Sequence, residues 1–314
     1  MEYLWSHWIF VAFLAPFFWA LVNFIDVYFV SSVYEDEWDG IFINSVFQLL
    51  PWLLPVFGIV SFQYPGGLPS VVAFIGGASL ILAFFFYFKT LFVSNDVAVI
   101  QAIWNLSVPL VPFLSWLLLS EKLLPVHYGG IALAFTGAML FITHEEIRTR
   151  NFFGVAKTMV GAVVLFSLSM VLQSKAYDLM ENDFWSGFLI FSAGAGITGL
   201  TLVFFDPKSM KMRSRHILQM TKSYFFIFLI AESLNLLAVL SSQRAIDLSP
   251  VVSFVAVIES SVPIFVMLIS LSLIPVLLLF NKKKVHQIYR NQLVAFKTKI
   301  VACVMIALGI YLIS

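Results

Sequence analysis

The feature that most restricts this chain is a recurrence: apolar runs of about twenty residues, separated by short polar or charged segments, extend from one end to the other. A run of that length matches a helical crossing of bilayer hydrocarbon. It is too long and too continuously apolar for the strands of a membrane barrel. Unpaired backbone groups in hydrocarbon cost several kcal/mol each, so only helices or closed barrels span it, and helices are what this pattern predicts. With 61% hydrophobic and 11% charged residues and a mean hydropathy of +0.97, the chain also departs far from a water-soluble domain. The expected class is an all-α polytopic membrane protein.

The runs predict about ten transmembrane helices, at 8–30, 41–62, 68–88, 97–119, 125–143, 157–177, 185–205, 223–245, 249–272 and 299–313. The first lacks a basic leader and runs on into further spans, so it reads as a retained helix rather than a signal peptide. The last is short, and becomes long enough if Phe296, Lys297 and Lys299 lie at the interface with their charges snorkelling. A single cysteine, Cys303, excludes a disulfide framework or a thiolate metal cluster. A net charge of +1 without a basic and aromatic surface gives no reason to expect nucleic acid.

The chain repeats internally. Shifted by 154 positions, Ala98–Leu117 overlies Val252–Leu271 with Ala102/Ala256, Ser107/Ser261, Val108/Val262, Pro109/Pro263, Leu114/Leu268 and Leu117/Leu271 identical. The contiguous Ser-Val-Pro falls at the same depth of the fourth and ninth spans. Two halves are therefore expected, 1–143 and 157–314, joined by the polar connection 144–156. Five spans per half is an odd number, so the halves enter the membrane from opposite sides. That is an inverted repeat, an arrangement by which carriers expose a central site to each side in turn. Numbering each loop by the span it follows, odd loops and their helix ends hold fifteen of the Lys and Arg residues and even loops only Lys122, Lys175 and Arg244. The positive-inside rule then puts odd loops in the cytoplasm and both termini outside.

Polar groups at mid-span carry the chemistry. Even mild insertion scales charge about 2.5–3.5 kcal/mol for a central charge facing lipid, so such groups face protein, water or solute. Glu232 and Asn235 share a face of the eighth span, and Glu259 lies mid-way along the ninth, four residues before Pro263. Either carboxyl is a candidate proton exchanger or solute ligand, or a neutral acid bonded across a helix interface. Pro109 and Pro263 are expected to kink their helices and free the carbonyls of Asn105 and Glu259, with Pro112 a further interruption. Gln101 and Asn105, four apart with Trp104 beside them, form a second polar face, for binding or for interhelical bonding. Trp19, Asn23 and Asp26 make a stripe on the first span, where Asp26 reads as site, gate or surface anchor. Lys175 reads as a snorkelling residue remote from Asp26. Gly66-Gly67, Gly76-Gly77, Gly129-Gly130, Gly137, Gly194, Gly196 and Gly199 predict close helix packing.

The segment Leu106–Thr143 resembles the end of an EamA repeat in the drug/metabolite transporter superfamily. Ser107, Pro109, Trp116, the Leu119-Ser120-Glu121-Lys122-Leu123 exit, Gly130 and Gly137 carry the resemblance. Ala15–Ser31, with Trp19, Ala20 and Asn23, is similar to that family's opening helix. The resemblance implies a ten-helix carrier of small molecules, often cation-coupled, whose central cavity Asn105 and Glu259 would line. Two departures stand out: the second half lacks the acidic-basic exit, and family members are described with both termini cytoplasmic, opposite to the charge count.

The functional expectation is a secondary transporter in the cell membrane, the bacterial inner membrane if the source is prokaryotic. It would move a small polar or amphipathic metabolite by alternating access, with protons as the candidate coupling ion and no metal or organic cofactor. Substrate contacts are expected from Trp19, Asn23, Gln101, Trp104, Asn105, Asn235 and Glu259, and proton exchange from Glu232, Glu259 or Asp26. A translocator of lipid-linked headgroups or nucleotide sugars is the neighbouring reading, weakened by the lack of a mid-depth base. An integral membrane enzyme built on His144, Glu145 and Glu146, or a non-transporting receptor, is the reading from another class. Monomer and homodimer are equally compatible with the sequence.

Overall fold

The computed structural model describes residues 7–93, 100, 103–143, 152–180, 183–206, 208, 210–280 and 296–314. They form α1 Trp8–Ser32, α2 Glu37–Gln48, a 3-10 turn Leu50–Trp52 leading into the short α3 Leu53–Val56, α4 Gly67–Val93, α5 Ser107–Leu119 and α6 Pro125–Thr143. After these come α7 Phe152–Leu179, α8 Phe184–Val203, α9 Met210–Leu248, α10 Val252–Glu259, α11 Val262–Phe280 and α12 Phe296–Ile313. Among the described residues, eight segments are long and apolar enough to cross a membrane; α5 is a shorter apolar helix and α6 has 19 residues. The chain is a multi-pass, all-helical integral membrane protein. Its outside bears exposed Phe, Leu, Ile and Val, and buried Ser, Asn, Gln and carboxylates are set into an otherwise apolar interior.

Several expected spans are corrected in ways that follow from local chemistry. The second begins earlier, at Glu37, where Asp36 caps Trp38, and leaves the helix after Val56 instead of continuing to 62, because Pro51 and Pro55 interrupt the backbone ladder. The fourth and ninth are each interrupted by a two-residue turn just before their prolines. The fourth turns at Asn105-Leu106 and restarts at Ser107, and the ninth turns at Ser260-Ser261 and restarts at Val262, running on to Phe280. Pro109 and Pro263 thus stand in the first turn of the restarted helices, where a missing N–H has no partner to lose. The Asn105 carbonyl is not left free: it accepts the Val108 N–H at 3.1 Å. Pro112 stays within α5. Helix α7 starts at Phe152, inside the expected linker, and Lys299, expected to snorkel, is buried.

The eighth span is the C-terminal part of a longer helix. Arg213 bonds Asp39 and Glu232 bonds Asn44, yet Asp39 and Asn44 lie five residues apart on α2, about 7.5 Å, while Arg213 and Glu232 lie about 28 Å apart along a straight helix. The side chains cannot close that gap. The helix bends at Tyr224, whose φ of −123° and ψ of 18° leave the helical region. Before the bend Arg213, Ile217 and Met220 form the buried stripe of a basic segment.

Packing is reciprocal between the two parts of the chain. The third span (α4) packs on the sixth (α7) and the eighth (α9) on the first (α1). The fourth (α5) also packs on the sixth, and the ninth (α10 with α11) on the first. The fifth and tenth pair with each other as α6 and α12, and the second with the seventh as α2 and α8. Glycines set these approaches. A Cβ on Gly77 would strike the Phe191 carbonyl and one on Gly194 the Phe74 carbonyl, while Gly130 and Gly309 face each other's carbonyls. Gly129, by contrast, has open space beside it.

Candidate functional site

One cavity lies where the broken spans meet α1, α2, α4 and α9. Within about 750 Å³ of atom-free space that includes space open to solvent, about 70 Å³ is wide enough for the centre of a water molecule. That is room for about five waters. Helix α1 contributes Trp19, Asn23 and Asp26, which fall on one stripe, and α9 contributes Glu232 and Asn235. The break before α5 supplies Trp104 and Asn105, and the break between α10 and α11 supplies Glu259. The structure therefore brings together every sequence-predicted solute or proton residue except Gln101, which lies outside the described residues, as do His144, Glu145 and Glu146.

Seven further lining residues were not expected: Asn44 from α2, Phe84, Tyr87 and Phe88 from α4, and the aliphatic Val22, Ala231 and Val262. Asn44 and Gln48 repeat the four-residue polar spacing of Gln101 and Asn105, a signal that was legible. Tyr87 had no such mark.

The polar groups are tied in part. Asn44 Nδ2 donates to Glu232 Oε2 at 3.2 Å, and the Asn235 side chain also bonds that carboxylate. The Tyr87 hydroxyl donates to Asn23 Oδ1 at 3.3 Å and also reaches Asp26. Ser242 Oγ donates to Glu259 Oε1 at 2.6 Å. Glu259 Oε2, Asn44 Oδ1 and Asn105 Nδ2 are buried without a protein partner. The walls are aromatic and braced: Trp104 packs on Tyr87 and Phe166 with ring centroids 5.7 and 4.9 Å away, and Trp19 on Phe166 at 6.2 Å.

Both ends are fastened. At the odd-loop end, buried Arg213 pairs with Asp36, Asp39 and Asp206; Lys208 pairs with Glu35 and Asp36, and His216 contacts Glu35 and Asp39. Burial alone would favour a neutral Arg213, yet the three carboxylates raise its pKa and hold it charged. Burial would likewise push the Asp36 carboxyl up, but Arg213 and Lys208 together hold it below its ordinary value. The hydrogen bond from Lys208 holds Glu35 low. At the even-loop end, Glu121 accepts from the Val252 N–H at 3.4 Å and from Ser253 Oγ at 3.3 Å, so one carboxylate caps the start of α10. Burial pushes the Glu121 carboxyl up. Lys175 is exposed, near Asp178.

No metal-ligating cluster occurs among the described residues. No protein-family model matches the chain, and no curated protein matches it. A solved structure titled only "Crystal structure of protein" is similar over 97% of this chain and 95% of its own, with a TM-score of 0.63 at 13% identity. At that identity the likeness shows a shared fold. Fold and cavity together define a polytopic helical membrane protein with a polar cavity in its interior.

Proposed function

We propose that this protein is a secondary carrier of a small polar or amphipathic solute, working by alternating access. The supporting observation is the cavity, whose polar groups come from both halves of the chain, with Asn105 and Glu259 beside interruptions of corresponding spans. In this reading residues 1–143 and 157–314 are inverted five-helix repeats joined by 144–156. The reciprocal packing of the third span with the sixth and the eighth with the first supports that symmetry. The EamA-like character of Leu106–Thr143 fits it, and assigns the chain to the drug/metabolite transporter superfamily as a proposal.

Asn105, Asn235, Asn23 and Glu259 bind solute between the faces of Trp19 and Trp104, while Glu232, Glu259 or Asp26 exchanges a proton. The two fasteners alternate: parting the Arg213 cluster opens the odd-loop end, and releasing Glu121 from α10 opens the other. A small solute suits the cleft better than a nucleotide sugar, since among the lining residues there is no base to meet a phosphate.

The test is a solute screen in proteoliposomes, with and without a pH gradient. Protein-dependent flux of a small solute that saturates and responds to the gradient is expected. Ligand binding with no flux of any bound solute would move the protein to the receptor class.

A further inference from the structure

We infer that the solute is a small organic cation carrying a primary ammonium group. This deepens the carrier reading and rests on it. Three carboxylates, Asp26, Glu232 and Glu259, face the cavity, and among the described residues no Lys, Arg or His lines it. Acidity alone would not make a site. The independent observation is the set of polar atoms left without partners: Glu259 Oε2, Asn44 Oδ1 and Asn105 Nδ2, on residues 7%, 3% and 4% exposed. A buried polar group that bonds nothing is costly, so these atoms are sites where a ligand can bond.

Their kinds say which ligand. Two are acceptors and one is a donor. A carboxylate or phosphate, offering only acceptors, would satisfy Asn105 alone and lie against three acids. An ammonium offers three donors and a full charge, satisfying the acceptors and offsetting the acids. The remaining wall is aromatic, with Trp19, Trp104 and Tyr87 among its residues, the side-chain types that attract organic ammonium groups. The limited water-wide space suits an ammonium on a short carbon chain.

The probe set is n-butylammonium, n-butanol and butyrate, three molecules of one shape and different charge, with sodium and ammonium chloride as inorganic controls. Binding is read on the purified full chain in detergent by quenching of tryptophan fluorescence and by thermal stabilisation. n-Butylammonium alone of the three organic probes is expected to give a saturable response. Its half-saturation should rise about tenfold or more in Glu259→Gln, as expected for loss of a charged hydrogen bond. Glu232→Gln is the second variant, in case the first fails to fold. Equal or stronger binding of butanol or butyrate would overturn the inference, as would a response to sodium alone, no response to any ammonium, or binding unchanged in both variants. Binding of butylammonium without flux in proteoliposomes would sink the carrier reading and leave the ligand class standing. Flux of an anionic solute with no ammonium binding would do the reverse.

Discussion

Arg213 of α9 and Asp39 of α2 are paired in the interior, at 2% and 0% side-chain exposure, although 174 residues separate them. Neither charge would be tolerated there alone. Removing one partner of a buried pair strands the other, at a cost of about 3–5 kcal/mol. Arg213→Met is therefore expected to lower the unfolding temperature of the purified protein sharply, because it leaves Asp36, Asp39 and Asp206 facing one another. Arg213→Lys keeps the charge but loses the guanidinium fork, and should fall between. Adding Asp39→Asn to Arg213→Met should recover part of the loss. Thermal unfolding in detergent measures all four proteins. A wild-type unfolding temperature for Arg213→Met would remove the pair from the interior.

The same cluster sets an acid limit on stability. Glu35 and Asp36 are held below their ordinary values of 4.5 and 3.8. Between the folded and ordinary values the unfolded chain binds more protons than the folded one. The contribution is fully present above the ordinary values and is lost as pH falls through the lowered ones. Thermal unfolding temperature should thus hold down to about pH 5 and decline as pH falls below about 4. Lys208→Met, which removes the partner holding Glu35 low, should shrink that dependence. An acid profile identical in the variant would show that Lys208 contributes nothing to it.

The cluster was also the part least legible in sequence. The spans could be read because hydrocarbon dictates their length, and the two breaks were half legible because Pro109 and Pro263 mark them. What proline could not reveal was where the helix would be interrupted, at a two-residue turn three to four residues before Pro109 and two to three before Pro263. Acids such as Glu35, Asp36 and Asp39 weigh little in the positive-inside rule, and Arg213 is one of eighteen Lys and Arg residues. Only the bend at Tyr224, which nothing in the local sequence marks, carries Arg213 back over α2. The cavity was legible where a carboxylate or amide stood in a strongly apolar run, as at Glu259 and Asn105. Tyr87 was not, since tyrosine in a span is also explained by an interfacial belt.

The crossing of α4 and α8 makes a packing prediction. Phe191's carbonyl occupies the place of a Cβ on Gly77, and Phe74's carbonyl the place of one on Gly194. Backbone cannot yield as a side-chain tip can. Gly77→Val or Gly194→Val should cost at least about 1–3 kcal/mol and reduce the yield of monodisperse protein. Gly129→Ala, with nothing within 4 Å, is the control and should leave both unchanged. Size-exclusion profiles and unfolding temperatures compare them. If Gly77→Val matched Gly129→Ala, the two helices would have to cross at a greater distance.

Glu259 is the residue on which binding and proton coupling converge. Its Oε1 is held by Ser242 at 2.6 Å while Oε2 is unpartnered at the cavity, so one oxygen is fixed and the other offered. Glu259→Gln keeps the shape and a hydrogen-bond acceptor but removes the titratable group. In the carrier reading this should cut coupled flux by about tenfold or more and flatten its pH response, with the protein correctly inserted. Ser242→Ala frees the first oxygen without removing the charge, so it should weaken binding by a smaller factor and keep a pH response. The ordering matters more than either number. Flux measured at several pH values in proteoliposomes separates the two variants, because a merely structural carboxyl would lose flux in both without changing the profile. Unaltered flux and pH response in Glu259→Gln would take the coupling role from this residue and leave Glu232 and Asp26 to carry it.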